Sequence, residues 1–241
     1  MAISGTYSFN PDVSELLEEA YERAGLEMRT GYDMQTARRS LNFLMLDWQN
    51  RGLNLWTVDQ PAAIDLSKSV ASYNIASGTI GLLDVIIRTD SGVQSSQTDY
   101  MLNRVSEPTY ATIPNKLTEA RPLQYYFDRK EILDVETNGD DQSSTITLWP
   151  VPDESSKYKV LYWRVKRVAD VGSDASNTMQ VPDRFLPALV SGLAYQIAIK
   201  RPEATGRVPF LKQDYEETYR MAADEDRVKV SARFVPRIAG Y

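Results

Sequence analysis

The chain has 241 residues, 42% of them hydrophobic and 25% charged, and a formal net charge of −6. That length buries a substantial core as one domain with a large insertion or as two small domains, and the composition is that of a folded protein, not a disordered one. Neither cysteine nor histidine is present, which excludes disulfides, thiolate nucleophiles, cysteine-based metal sites and any Ser/His/Asp triad, and removes the commonest general base.

Residues 1–5 carry no basic segment and no apolar core follows them, so no secretory signal is expected. The first helix is signalled by Asn10 as cap, Pro11 at the first helical position, and Asp12 and Glu15 at the positive end of the dipole. Val13, Leu16, Leu17, Ala20, Tyr21 and Ala24 form one apolar stripe that Gly25 ends. A second helix is predicted over residues 33–49, with Met34, Ala37, Leu41, Leu44, Met45 and Trp48 inward. Gly52 then stands where a helix C-terminal glycine belongs, and Leu53, Leu55, Trp56 and Val58 begin extended structure. Trp48 and Trp56 bracket this corner and read as core aromatics.

From Trp56 to Arg167 the period falls to two. Strands are predicted over residues 63–66, 73–75, 82–88, 123–129, 145–149 and 158–166, separated by turns such as Asn138-Gly139-Asp140-Asp141. The last of these alternates imperfectly, which predicts burial on both faces near its middle. A short helix is expected within residues 100–110, ended by Pro108. Helix resumes after Val181-Pro182-Asp183. Residues 185–199 are apolar nearly all round, as a central helix of a bundle is, and fall short of the roughly 20 residues a membrane span needs. A final amphipathic helix over residues 209–226 sets Leu211, Tyr215, Tyr219 and Ala222 on one side.

The resulting expectation is an α+β fold. A helical bundle is formed by residues 1–56 and 180–226, an antiparallel β module of residues 57–179 is inserted between them, and residues 227–241 make an extended basic C-terminal arm. The arm carries Arg227, Lys229, Arg233 and Arg237 and no acid, interleaved with Val230, Phe234 and Ile238 and ending at Tyr241. Its apolar residues suit a segment that orders by adding to a partner surface.

Other features point away from chemistry. Glu18-Glu19 and Asp224-Glu225-Asp226 read as solvated helix faces, and Asn138-Gly139-Asp140-Asp141 lacks the alternating ligands of a calcium loop. No glycine-rich phosphate loop precedes a helix, and no basic, aromatic-interleaved groove lies outside the arm. No catalytic residue, cofactor or metal site is expected.

The ordered set formed by residues 41–56 with their Asp-Trp and Gly-x-Asn-Leu-Trp spacing, Leu148-Trp149-Pro150-Val151-Pro152-Asp153, Val181-Pro182-Asp183 and the helix bearing Leu193-Ala194 resembles the head-to-tail adaptor family of tailed bacteriophages, which includes tail tubular protein A and the tail accessory factors. The resemblance covers residues 10–226. It implies a structural protein of the virion, assembled in the host bacterial cytoplasm. Copies of the chain, usually twelve, would form a ring beneath the portal protein, extend the DNA channel, and offer a platform to the tail nozzle or other tail proteins. It also implies that a C-terminal segment reaches the portal, the role the arm residues Arg227, Lys229, Val230, Arg233, Phe234, Arg237, Ile238 and Tyr241 match in position and character.

Twelve copies at −6 each carry a formal −72. Such an acidic assembly lets duplex DNA pass without holding its phosphates. No membrane partner is expected. The alternatives are another tail component, such as a terminator or baseplate protein, a glycan hydrolase working through two carboxylates about 5 to 9 Å apart, or a carbohydrate-binding protein with an exposed aromatic row.

Overall fold

The structure, a computed structural model, describes residues 5, 9–52, 55–129, 144–172 and 178–227. In chain order its elements begin with helices α1 (Val13–Ala24) and α2 (Gly31–Asn50). Strands β1 (Val58–Asp59), β2 (Ile64–Asp65), β3 (Ser72–Asn74), β4 (Thr79–Thr89), β5 (Thr98–Met101) and β6 (Asn103–Val105) follow. Then come helix α3 (Glu107–Ala111), strands β7 (Gln124–Asp128), β8 (Thr145–Trp149) and β9 (Tyr158–Lys166), and helices α4 (Leu186–Lys200) and α5 (Val208–Glu225). The fold is α+β. Two compact units divide it: Met1–Trp56 with Val168–Tyr241, and Thr57–Arg167.

In the helical unit, α1 starts two residues later than Asn10 and Pro11 suggest. Asp12 is the cap: its carboxylate accepts from the Glu15 amide at 2.9 Å, and the Glu15 carboxylate accepts from the Asp12 amide at 3.2 Å. This reciprocal box satisfies two orphan donors, which a single Asn10 cap would not do. Gly25 ends the helix at φ 74° with its N–H on the Glu22 carbonyl, a left-handed residue where a Cβ would be strained. Thr30 and Asp33 repeat the box at the start of α2.

All six residues of the α1 stripe are buried, as are Ala37, Leu41, Leu44, Met45 and Trp48 of α2. They share one core with α4 and with Tyr215 and Ala222 of α5. Helix α4 packs against α1, α2 and α5, which is why it is apolar all round. The chain rejoins this unit at Val168, whose side chain lies in its core with Val171 and Val181.

The β unit is built from two sheets, one ordered β1-β9-β4-β5 with β2 also on β9, the other ordered β3-β8-β7-β6. Val85, Ile87, Tyr158, Val160 and Tyr162 of the first sheet meet Tyr125, Phe127, Ile146 and Leu148 of the second in a single core. Every strand pair described is antiparallel except β6–β7, which is parallel with Asn103 opposite Gln124. This departs from the wholly antiparallel module expected.

The cause lies in β5 and β6, separated by Leu102 alone. Leu102 is buried, and the chain there leaves the edge of one sheet and joins the edge of the other. Residues 98–101 and 103–105 therefore form strand, and the short helix expected within residues 100–110 is α3, which Pro108 helps to begin instead of ending. Pro108 lies in the first turn of α3, where its missing N–H costs nothing, and Ser106 caps that helix. Strand β9 buries Tyr158, Val160 and Tyr162 on one face and half-buries Leu161, Trp163 and Val165 on the other.

One partly buried cation, Arg164, organises the entry of the β unit. Arg164 on β9 donates to the Asp59 carboxylate at 2.7 and 3.3 Å, to the carbonyls of Ala76 and Ser77 at 3.0 and 2.8 Å, and to the Thr79 hydroxyl at 3.1 Å. The Arg164 hydrogen bond, working against partial burial, holds the Asp59 carboxyl below its usual range.

Candidate interaction surfaces

Of the arm residues singled out in the sequence, Arg227 alone is among those described. It is exposed at the end of α5 and pairs with Asp224 at 2.9 Å. Lys229, Val230, Arg233, Phe234, Arg237, Ile238 and Tyr241 lie outside the described residues, as does the Asn138-Gly139-Asp140-Asp141 turn.

The end of α5, at the root of the expected arm, is anchored by a residue the sequence reading missed. Asp226 is buried instead of solvated: its carboxylate pairs with Arg184 and accepts the Leu55 amide at 2.7 Å. Two acids precede it in sequence and both are exposed. Nothing local distinguishes the third, and only its place one residue past α5 turns it inward.

Beside that root, α5 and the end of α2 frame a groove of about 740 Å³ lined by Arg51, Glu216, Tyr219, Arg220, Asp224 and Arg227, among others. Arg51 is its fixed point. It makes a two-pronged pair with Glu216 at 2.9 and 3.1 Å, reaches Asp47 at 2.8 Å, and lies over the rings of Tyr215 and Tyr219 at 4.9 and 5.0 Å. Burial opposes its charge, but the hydrogen bonds it donates to Glu216 and Asp47 outweigh burial and raise its pKa. The Tyr215 hydroxyl accepts from the Trp48 indole at 2.9 Å and donates to Asp47 at 3.3 Å; burial raises its pKa well above that of free tyrosine, against the lowering hydrogen bond from Trp48. Arg51, Asp47 and Glu216 are thus engaged with one another as a structural ion-pair cluster on the groove wall.

At the other end of α2 a smaller cleft is lined by Tyr21, Tyr32, Thr36, Ser40, Lys200 and Arg201. Arg201 is held by Asp33. Lys200 donates to the Ser40 hydroxyl, and burial, then the nearby Arg39, lowers its pKa. Among the described residues no group of three His, Cys, Asp or Glu side chains could hold a metal ion, and no helix is long and apolar enough to cross a membrane.

The outward faces also carry exposed apolar side chains. Tyr32, Phe43 and Leu46 project from α2, Phe210 and Met221 from α5. On the β unit, Leu83, Val93, Met101, Leu117 and Leu123 are exposed, and Arg121 stacks over the Tyr100 ring at 3.9 Å. Strand β5 is exposed along its whole length and pairs on one edge with β4. Trp149 is half-buried and donates from its indole to the Asn115 carbonyl at 3.0 Å.

No curated protein matches the chain. The family model described as SU10 adaptor protein matches residues 11–237, which takes in both units and the whole motif set read from the sequence. The chain therefore belongs to the SU10 adaptor protein family of phage head-to-tail adaptors.

Proposed function

We propose that the chain is the head-to-tail adaptor of a phage particle. Copies of it, twelve in number, form a ring beneath the portal protein, extend the DNA channel and give the tail its attachment platform. The observation that carries this reading is the family match over residues 11–237. Three structural features support it. Helices from both ends of the chain share one core and make a bundle able to pack side by side around a ring. The β unit presents exposed apolar residues on a separate body, suited to the next tail component. Asp226 anchors the end of α5 just before residues 227–241, whose basic and apolar sequence suits a portal-docking arm.

Duplex DNA passes through this ring without specific binding. Glu15, Glu18 and Glu22 recur along the exposed face of α1, in line with a chain charge of −6, and acidic walls do not hold phosphates. The test is electron microscopy of the protein mixed with the portal encoded near it in its own genome, with light scattering on each alone. The expected result is an additional ring stacked on the portal; absence of association, with the protein remaining free, would overturn the reading.

A further inference from the structure

Strand β5 differs from the other edge strands of the β unit. Strands β1, β2, β3 and β6 have two or three residues each, whereas β5 has four and all of them are exposed. Exposed strand edges are commonly blunted by proline, lysine or an unpaired charge. Strand β5 carries neither proline nor lysine, and its one charged residue is neutralised, Asp99 being held by Arg88 in a two-pronged pair at 2.7 Å.

The register fixes which backbone groups are free. The Leu102 amide donates to the Val85 carbonyl at 2.9 Å, and Tyr100 lies opposite Ile87. Bonding alternates along an antiparallel ladder, so Thr98 and Tyr100 turn their N–H and C=O toward β4 while Asp99 and Met101 turn theirs outward. The next outward amide, that of Asn103, donates to the Leu123 carbonyl at 3.0 Å, where β6 begins its parallel pairing with β7. Thr118 and Ala120 bond instead to Val151. A groove of about 550 Å³ opens there, lined by Thr98, Tyr100, Arg121, Leu123, Asp90 and Lys157, among others.

Arg121 is the uncompensated charge of this groove. Its guanidinium lies over the Tyr100 ring at 3.9 Å, its Nε is buried without a hydrogen-bond partner, and among the described residues no acid pairs with it. Lys157, by contrast, is engaged by Glu154 at 2.6 Å. A partly desolvated guanidinium with unfilled donors is costly until a carboxylate reaches it, and its planar fork suits a two-pronged pair.

We propose that β5 is a docking edge for an extended segment of the next tail component, which adds to the sheet as a further strand and sets an acidic side chain on Arg121. This rests on the adaptor reading above and names where the tail partner is held. The added strand satisfies the outward backbone groups of Asp99 and Met101. Its residue opposite Tyr100 falls on the face where Arg121 lies, and the next residue falls on the face of Met101, which is 68% exposed. The recognised chemistry is therefore an acid beside an apolar residue in extended chain. Residues 227–241 of this chain have no acid to offer, and a second copy pairing β5 with β5 offers only Asp99, already held by Arg88.

The test uses the full chain, free and ringed on its portal, with the tail protein encoded near it in the same genome as the probe. Met101→Pro deletes one outward N–H and leaves the ladder with β4 whole, as proline does at an edge. Arg121→Gln removes the charge from outside the strand, so it reports even where the proline variant folds poorly. Each variant is expected to weaken tail-protein binding about tenfold or more. Hydrogen exchange at the Asp99 and Met101 amides should slow at least about tenfold in the complex, with the Leu102 amide protected throughout. Parent-like binding by both variants, unslowed exchange at Asp99 and Met101, or a ring on the portal that takes up no tail protein would overturn the docking edge alone. Tail protein held by the free chain through this edge, with no ring on the portal, would instead sink the adaptor reading and leave the edge standing.

Discussion

Replacing Gly192 by alanine sets two known effects against each other at one atom. Gly192 lies mid-helix in α4, where alanine is favoured over glycine by about 0.8–1 kcal/mol. A Cβ there would stand 2.7 and 2.9 Å from two ring carbons of Tyr215 and 3.0 Å from a methyl of Leu44, closer than packed carbons approach. The ring cannot swing aside: Tyr215 is buried, stacked on Tyr195 with centroids 6.3 Å apart, and hydrogen-bonded through its hydroxyl to Trp48. Forcing a methyl into such a site costs about 1–3 kcal/mol. Gly192→Ala should therefore leave the helical unit less stable by about 0–2 kcal/mol, despite its better helix propensity.

The sharper measurement is a double-mutant cycle. With Tyr215→Val the obstructing ring atoms are gone, and Gly192→Ala should then stabilise by up to about 1 kcal/mol, a coupling of about 1–3 kcal/mol between the two positions. Urea unfolding followed by circular dichroism in the helical band reads the helical unit, whose helices dominate that signal. A Gly192→Ala protein more stable than its parent by the full propensity gain, or a cycle with no coupling, would mean that α5 is not seated on Gly192.

Tyr215→Phe should cost about 1–3 kcal/mol, because the Trp48 indole N–H is left buried without an acceptor; a blue-shifted or unchanged tryptophan spectrum with unchanged urea midpoint would contradict this. Arg164→Leu strips Asp59 and two carbonyls of their donor and should destabilise the β unit by about 1.5–3 kcal/mol, measurable by thermal unfolding of that unit. Stability should fall in acid. Asp33, held low chiefly by the Thr30 hydroxyl, Asp59, held low by Arg164, and Asp99, held low by Arg88, each bind fewer protons folded than unfolded. Their contribution is present above the ordinary carboxylate range near pH 4 and is lost as pH falls below it. Asp59→Asn should flatten that acid limb for the β unit, and an equally steep limb in the variant would refute the assignment. A chain stopped after Arg227 should keep both units folded, since the anchor Asp226 is retained, and fail to dock on the portal; loss of the helical signal on truncation would count against an independent arm.

The sequence announced those elements whose pattern is enforced by burial on one side. The α1 stripe was legible residue by residue because each buried position is apolar and each exposed one is polar, the inner face of α2 because Ala37, Leu41, Leu44, Met45 and Trp48 recur at helical spacing, and β7, β8 and β9 because one face of each lies in a core. Strand β5 was not, for the opposite reason: Thr98, Asp99, Tyr100 and Met101 are exposed on both faces, so no period of two is written into them. The parallel β6–β7 pair was hidden because its partners lie in different parts of the chain and leave no local mark. Asp226 shows the same limit at a single residue, an acid among acids whose burial depends on Arg184 and Leu55 arriving from far along the chain. The exposed apolar residues of α2 and α5 escaped notice because a pattern search follows the apolar side of a helix inward. Phe43, Leu46, Phe210 and Met221 become conspicuous once the inner face has been accounted for.

The pairing of β1 with β9 places Val58 opposite Val165, so the β unit begins and ends within about 5 Å of backbone. A body whose entrance and exit coincide is a cassette. It can be lengthened, replaced by an unrelated fold or cut down to a short turn while the chain on either side still spans the same small gap. Selection for new tail partners could therefore act on residues 57–167 without renegotiating the helical core, and an engineer could graft a reporter or a foreign binding domain at the same two points.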